Sequence, residues 1–218
     1  MLTLQKTGTA LTALAVFTLA GDAARPASGQ SATFNFNTDA AGTMTTFTDT
    51  NNGLSATFSS TAGPGAFMVQ PSFFSNQSGN DLGAVVGANS VPLDIAFSKG
   101  LNSFSLNFGL NGAAASTFTL TAFSGGLNGA QVGSKTVTGA IPGGFFLLPE
   151  GSLSFQSASP FDTVALTSTA QNLFVDNIAV SAPVPEDSTA VSLGLMVALG
   201  ACGIAVATRR RKANQTGI

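Results

Sequence analysis

The residues able to do chemistry in this chain are few, and most are acidic. Between Gln30 and Pro183 stand seven carboxylates, Asp39, Asp49, Asp81, Asp94, Glu150, Asp162 and Asp176, against two bases, Lys99 and Lys135. This stretch is therefore far more acidic than the whole-chain charge of −2 suggests. The pair Asp176-Asn177 stands out because it interrupts the apolar run of Leu173, Phe174, Val175, Ile178 and Val180. A polar pair in such a setting must be hydrogen-bonded or ion-bound if it is buried. Hard oxygens from Asp176, Asn177 and Asp39, with loop carbonyls, would suit Ca²⁺. Facing water, or capping a turn, would account for the same pattern, and no DxDxDG-type loop is present. Glycoside hydrolysis would need two carboxyl groups about 5 to 9.5 Å apart. No acid sits in a recognisable catalytic motif, and Glu150 reads as a loop residue beside Pro149. No catalytic residue is assigned, no cofactor beyond a candidate Ca²⁺ is implied, and the metal question stays open.

The missing residue types narrow the chemistry further. The chain has no histidine, tyrosine or tryptophan. The commonest general base, the commonest zinc ligand and every Ser-His-Asp or Cys-His arrangement are thereby excluded. Phe is the only aromatic left to meet a sugar ring, with Phe73-Phe74 and Phe145-Phe146 as the candidate exposed pairs. Nucleic acid is not expected as a partner, since it requires clustered Lys and Arg. The single cysteine, Cys202, allows no disulfide and reads as a small apolar residue. Gly125-Gly126 and Gly143-Gly144 fit turns rather than phosphate-binding loops.

The elements that must position these side chains read as β-strands. Apolar and polar residues alternate with period two almost throughout. Leu101 to Phe108 (LNSFSLNF) puts Phe104, Leu106 and Phe108 on one face, and Thr117 to Phe123 (TFTLTAF) puts Phe118, Leu120 and Ala122 opposite three threonines. Asn51-Asn52-Gly53 predicts a hairpin turn between Thr43–Thr48 and Gly53–Ser59. Further short strands are expected at 33–37, 66–69, 83–88, 93–98, 131–139, 145–148, 153–155, 163–167 and 173–180, with 70–81 as a loop. Eighteen Phe supply core material. Short strands this frequent, with Gly, Asn and Pro turns and no sustained 3.6-residue period, imply an all-β, antiparallel β-sandwich over residues 30–182, jelly-roll-like in the preferred version.

Two flanking segments speak to destination. Lys6 followed by Ala10 to Ala20 (ALTALAVFTLA) reads as a cleavable secretory signal peptide over residues 1–23, with cleavage after Ala23, Ala24 or as late as Gly29. At the other end, residues 183–213 have three parts: the motif Val184-Pro185-Glu186-Asp187, the uncharged run Thr189 to Ala207, and the cluster Arg209, Arg210, Arg211, Lys212. The run of 189–207 would span about 28 Å as a helix, close to the bilayer core, so a single C-terminal transmembrane helix is expected. The basic cluster would stay cytoplasmic as a stop.

This tail resembles the PEP-CTERM sorting signal of Gram-negative bacteria. Val184, Pro185 and Glu186 match the family's motif, and Asp187 stands where a second Pro is usual. The resemblance implies handling by exosortase, a membrane-embedded cysteine transpeptidase that removes such tails. The expected course is export by the secretion machinery, transient anchoring in the inner membrane, then release to the cell surface or an extracellular polysaccharide matrix. Residues 116–180 are also similar to the C-terminal half of many PEP-CTERM ectodomains, which resemble the jelly-roll sandwiches of carbohydrate-binding modules and lectins. The expected role is structural or adhesive and non-enzymatic. A carbohydrate-binding, lectin-like module is the alternative, and a glycoside hydrolase comes third.

Overall fold

A computed structural model describes residues 29–85, 91–142 and 147–183. The expected signal peptide, the sorting motif, the transmembrane run, the basic cluster and Phe145-Phe146 all lie outside these residues. None of the described residues is helical, and every strand pairing is antiparallel. Ten strands form in chain order: β1 (Ser31–Phe34), β2 (Phe47–Asn51), β3 (Leu54–Ser59), β4 (Phe67–Pro71), β5 (Asn80–Ala84), β6 (Leu93–Asn111), β7 (Thr117–Ser124), β8 (Ala130–Thr138), β9 (Glu150–Ser168) and β10 (Asn172–Ser181).

The expectation of short separate strands is corrected by two fusions. The segments expected at 93–98 and 101–108 are one strand of 19 residues, β6, and those at 153–155 and 163–167 are another, β9. The two long strands pair along their whole length, with register shifts between Ala96 and Leu101 and again before Ser103. Such irregularities bend a strand pair. Pro160, which cannot donate to a ladder, sits at this corner facing Gly100. Each long strand thus serves two layers. Its first-half partners differ from its second-half partners: β6 pairs β3 through Asp94–Phe97 and β10 through Ser103–Asn111.

One layer runs β2-β3-β6-β9-β7-β8, and the other runs β4-β5-β10-β6-β9, with β1 beside the end of β10. Their inner faces meet in a phenylalanine-rich core. Phe108 of β6 stacks on Phe118 of β7 at 4.6 Å and 3° between planes. Phe34 of β1 meets Phe58 of β3 edge-on at 6.3 Å, and Phe97 meets Phe104 at 6.1 Å. The alternation read for β7 is borne out: Phe118, Leu120 and Ala122 are buried, and the threonines lie on the other face. The hairpin turn is borne out too, with Asn52 at φ 49° and Gly53 at φ 71°.

Other boundaries move as well: β1 is Ser31–Phe34 rather than 33–37, and β2 is Phe47–Asn51 rather than 43–48. β5 begins at Asn80 rather than Gly83, Leu147 and Leu148 are not in a strand, and Glu150 opens β9 instead of lying in a loop. Flanking Pro149 misled the reading at Glu150, because the partner that places it in a ladder, Gly109, is distant in sequence.

Truncating Phe118 to Ala removes one half of the stacked pair that joins the layers. Chemical denaturation of the full chain should show a loss of about 3–5 kcal/mol, whereas a loss below about 1 kcal/mol would mean the layers do not depend on this contact.

Candidate functional site

The second layer carries an unusual outer face. On β10, Phe174 and Asp176 alternate with the inward Leu173 and Val175, yet they are as buried as the core, at 5% and 0% exposure. The cover is the loop 72–79, which folds back over β5, β10, β6 and β9. Gly109 makes room for Phe74 of this loop, and Gly83 for the Phe174 ring it covers. A Cβ on Gly109 would lie 2.4 Å from the Phe74 ring, and one on Gly83 would lie 2.4 Å from the Phe174 ring. Phe73 stacks on Phe74 at 4.5 Å, and both contact Phe174, at 5.3 and 5.1 Å. The pair expected to meet a sugar is thus largely a lid: Phe74 is buried, and Phe73 keeps 41% exposure.

Polar groups pin the same loop. Glu150 accepts from the Ser75 N–H at 2.8 Å, the Asn76 N–H at 3.3 Å and the Ser75 hydroxyl. Asn76 Nδ2 donates to the carbonyls of Phe108 and Gly151, and Asn107 Nδ2 donates back to the Asn76 carbonyl at 2.7 Å. Gln77 Nε2 reaches the Phe174 carbonyl, and the Ser78 N–H donates to Asp176 Oδ2 at 3.2 Å. Glu150 therefore has a positioning role that the sequence reading missed.

Asp176 and Asn177 mark a bulge. β5 pairs with β10 at Phe174–Val175, β1 pairs with it at Ile178–Ser181, and Asn177 takes φ 52° between them. The Asp176 carboxylate accepts from the Asn177 N–H at 2.7 Å and from Asn177 Nδ2 at 3.0 Å. Asp39 does not join them through its carboxylate. Burial and the charge of Asp49 raise its pKa, and its Oδ2 is enclosed without a partner. The acid that does stand by Asp176 is Asp81, which the sequence reading passed over. Leu82 pairs with Val175, so the next rung of the ladder sets Asp81 beside Asp176. Asp81 is 0% exposed, and its carboxylate oxygens make no close hydrogen bond, although the Ser72 hydroxyl and the Gln70 amide stand near enough to favour its charged form. The Ser72 hydroxyl nearby is committed to Gln77 Oε1. Burial first, and the Asp176 charge in addition, push the Asp81 pKa up to about 6. Among the described residues, no three His, Cys, Asp or Glu side chains converge on one point.

Beyond the lid, the outer face becomes an open polar strip. Three successive cross-strand pairs of β6 and β9 line it: Ser103 with Gln156, Ser105 with Ser154, and Asn107 with Ser152. A groove of about 340 Å³ lies over Ser105, Asn107, Ser152, Ser154, Lys135 and Asn177, and a second of about 430 Å³ over Asn102, Ser103, Gln156, Ser157 and Ser181. Neither is lined by Asp or Glu. The period-two pattern of LNSFSLNF already assigns these polar side chains to one face. Their alignment with β9 is a product of the long ladder.

No protein-family model matches the chain, and no curated protein matches it. Solved structures overlap it loosely. The K1 cleaved adhesin domain of Lys-gingipain from Porphyromonas gingivalis W83 is 12% identical, covering 71% of this chain and 99% of that one, at a TM-score of 0.47. TmCBM61, solved with β-1,4-galactotriose, is 12% identical over 57% of this chain and 86% of its own, at 0.35. A family 29 carbohydrate-binding module from Piromyces equi is 11% identical over 61% and 94%, at 0.34. Overlaps this loose do not assign an activity to the chain.

Two outcomes test this arrangement. Glu150→Ala removes the acceptor of three part-buried donors of the lid, so the full chain should lose about 1–2 kcal/mol. Hydrogen exchange at Ser75 and Asn76 should accelerate more than exchange in β7; uniform acceleration would argue against a pinned lid. The second outcome concerns pH. Burial raises the pKa of Asp39, Asp81, Asp94 and Asp176 above the unfolded value. The folded chain then takes up protons before the unfolded chain does, and stability increases as pH falls from 7 through about 6 toward the ordinary carboxylate range. Asp162 acts in the opposite sense. Burial works against its charge, but the N–H groups of Gly126 and Gly125 and the Thr163 hydroxyl outweigh it and hold the pKa low. Its contribution is lost only at still lower pH. Thermal unfolding in chelator should therefore give a higher Tm at pH 5 than at pH 7, and the reverse order would refute the assignment.

Proposed function

We propose that this protein is an exported, non-enzymatic adhesive sandwich that binds neutral polysaccharide along the polar strip of β6, β9 and β10. The observation that carries the reading is the row of Ser103·Gln156, Ser105·Ser154 and Asn107·Ser152, held in register on two 19-residue strands. Hydroxyl and amide groups both donate and accept, which matches the hydroxyls of a sugar chain. A rigid sheet presents them without ordering costs at the moment of binding. The lid that carries the half-exposed Phe73 closes one end of the row, where Asn107 holds Asn76.

Binding rather than hydrolysis fits the placement of the acids. Asp81 and Asp176 are sealed from solvent, and Glu150 is occupied by the lid, so this group offers no carboxylate pair to flank a glycosidic bond with water. A jelly-roll-like path and arrival outside the inner membrane belong to the same proposal. The arrival rests on the secretory segment at 1–23 and on the PEP-CTERM-like tail with its expected exosortase processing.

Native gel electrophoresis of the full chain through gels containing a neutral polysaccharide should show retardation relative to polysaccharide-free gels. Ser154→Ala and Gln156→Ala should each weaken it about 3- to 10-fold, as expected for loss of a hydrogen bond worth 0.5–1.5 kcal/mol. Unchanged mobility across β-linked and α-linked glucans, galactans and xylans would overturn the binding reading.

A further inference from the structure

We infer that Asp81 and Asp176 together bind one Ca²⁺ beneath the lid, with neutral oxygens of the lid and neighbouring backbone completing the shell. Three observations converge on this site, and none depends on polysaccharide binding.

The first is the state of Asp81. Its carboxylate is fully enclosed and neither oxygen makes a close hydrogen bond; the Ser72 hydroxyl and the Gln70 amide stand near enough to favour its charge but do not outweigh its burial. Buried charges in folded proteins are paired or coordinate a metal, because an uncompensated one costs several kcal/mol. The second is its neighbour. Asp176 is also fully enclosed, one position past the last paired rung of the β5–β10 ladder and close enough for its charge to act on Asp81. Three N–H donors, from Ser78, Asn177 and the Asn177 amide, hold Asp176 and favour its charged form. They leave one of its roughly four lone-pair sites open.

The third is the lack of a protein cation to neutralise the pair. Among the described residues, Lys99 and Lys135 are the only bases. Lys99 Nζ donates to Gln30 Oε1 at 2.5 Å, and Lys135 Nζ donates to the Ser154 carbonyl at 2.7 Å. A proton on Asp81, accepted by the open lone pair of Asp176, would also neutralise it, and that state, unlike an ion, gives no response to Ca²⁺. A hard divalent ion supplies both charge and ligation. Ca²⁺ suits the site better than Mg²⁺, because it accepts mixed carboxylate, amide and carbonyl oxygens in irregular geometry and does not require a retained octahedral water shell. The set differs from the one expected from sequence: Asp176 stays, and Asp81 takes the place of Asp39.

The lid gives the ion a structural consequence. Ser72, Gln77 and Ser78 all belong to the loop that seals Asp81 and Asp176, so an ion there ties the lid to β5 and β10.

The experiment is thermal unfolding of the full chain, followed by circular dichroism because the chain has no Trp or Tyr. It is run at pH 7 in EDTA, in excess CaCl₂ and in excess MgCl₂, with calorimetric titration of CaCl₂ into the chelated protein. The expected result is one Ca²⁺ per chain and a Tm higher in CaCl₂ than in EDTA, with a smaller effect of MgCl₂. Asp81→Asn, which keeps the shape and removes the charge, should fold, weaken Ca²⁺ binding at least tenfold and abolish the Tm difference. Asp39→Asn should leave both unchanged. Equal Tm in EDTA and CaCl₂ with no heat of binding would overturn the inference. So would a calcium response that survives in Asp81→Asn or disappears in Asp39→Asn.

Discussion

The β6–β9 ladder is the constraint on which the rest of this structure depends. Both strands are 19 residues long, and they pair from Leu93 with Leu166 to Gly109 with Glu150. A flat ladder of that length would make one extended sheet with an apolar face open to water. The register shifts around Leu101, with Pro160 opposite Gly100, bend it so that its two halves lie in facing layers. Phe97 and Phe104 of one strand, and Phe155 and Phe161 of the other, then meet across the bend. The other strands are additions to one half or the other.

That bend also decides what becomes of the second layer's outer face. Part of it is open and polar, as an outer face should be. The part around Phe174 is apolar and would be exposed, so it is roofed by 72–79 and becomes a second, smaller core. The roof is held by phenylalanine packing and by buried carboxylates receiving N–H groups. Charge-assisted hydrogen bonds of this kind are strong when satisfied and costly when not. Glu150 and Asp176 receive close N–H donors, whereas Asp81 has only the more distant Ser72 and Gln70 side chains. The contrast between neighbours in one layer is local to Asp81 and does not reflect a generally loose polar interior.

Much of the fold was legible in the residues. Period two in LNSFSLNF and TFTLTAF assigned the inward Phe and Leu side chains correctly, because a pleated strand leaves no other choice. Asn52-Gly53 announced its turn, since few residues tolerate positive φ. The break in pattern at Asp176-Asn177 was a true irregularity, namely the bulge where the edge of β10 passes from β5 to β1. The site was less legible. Phe73-Phe74 looked like an exposed pair because nothing local shows that Gly109 leaves a hollow for Phe74 to fill. Glu150 looked like a loop residue because its donors lie 74 and 75 positions away.

The sequence by itself determined the class of structure, antiparallel β, and the short menu of chemistry left by a body without His, Tyr or Trp. Both follow from local composition and periodicity, which act over a few residues. Only the tertiary structure decided that β6 and β9 are single bent strands, that 72–79 is a roof, and that Asp81 rather than Asp39 stands by Asp176. Each of these depends on a pairing between distant segments. Strand register is set by which apolar faces can be buried together, and no single segment contains that information.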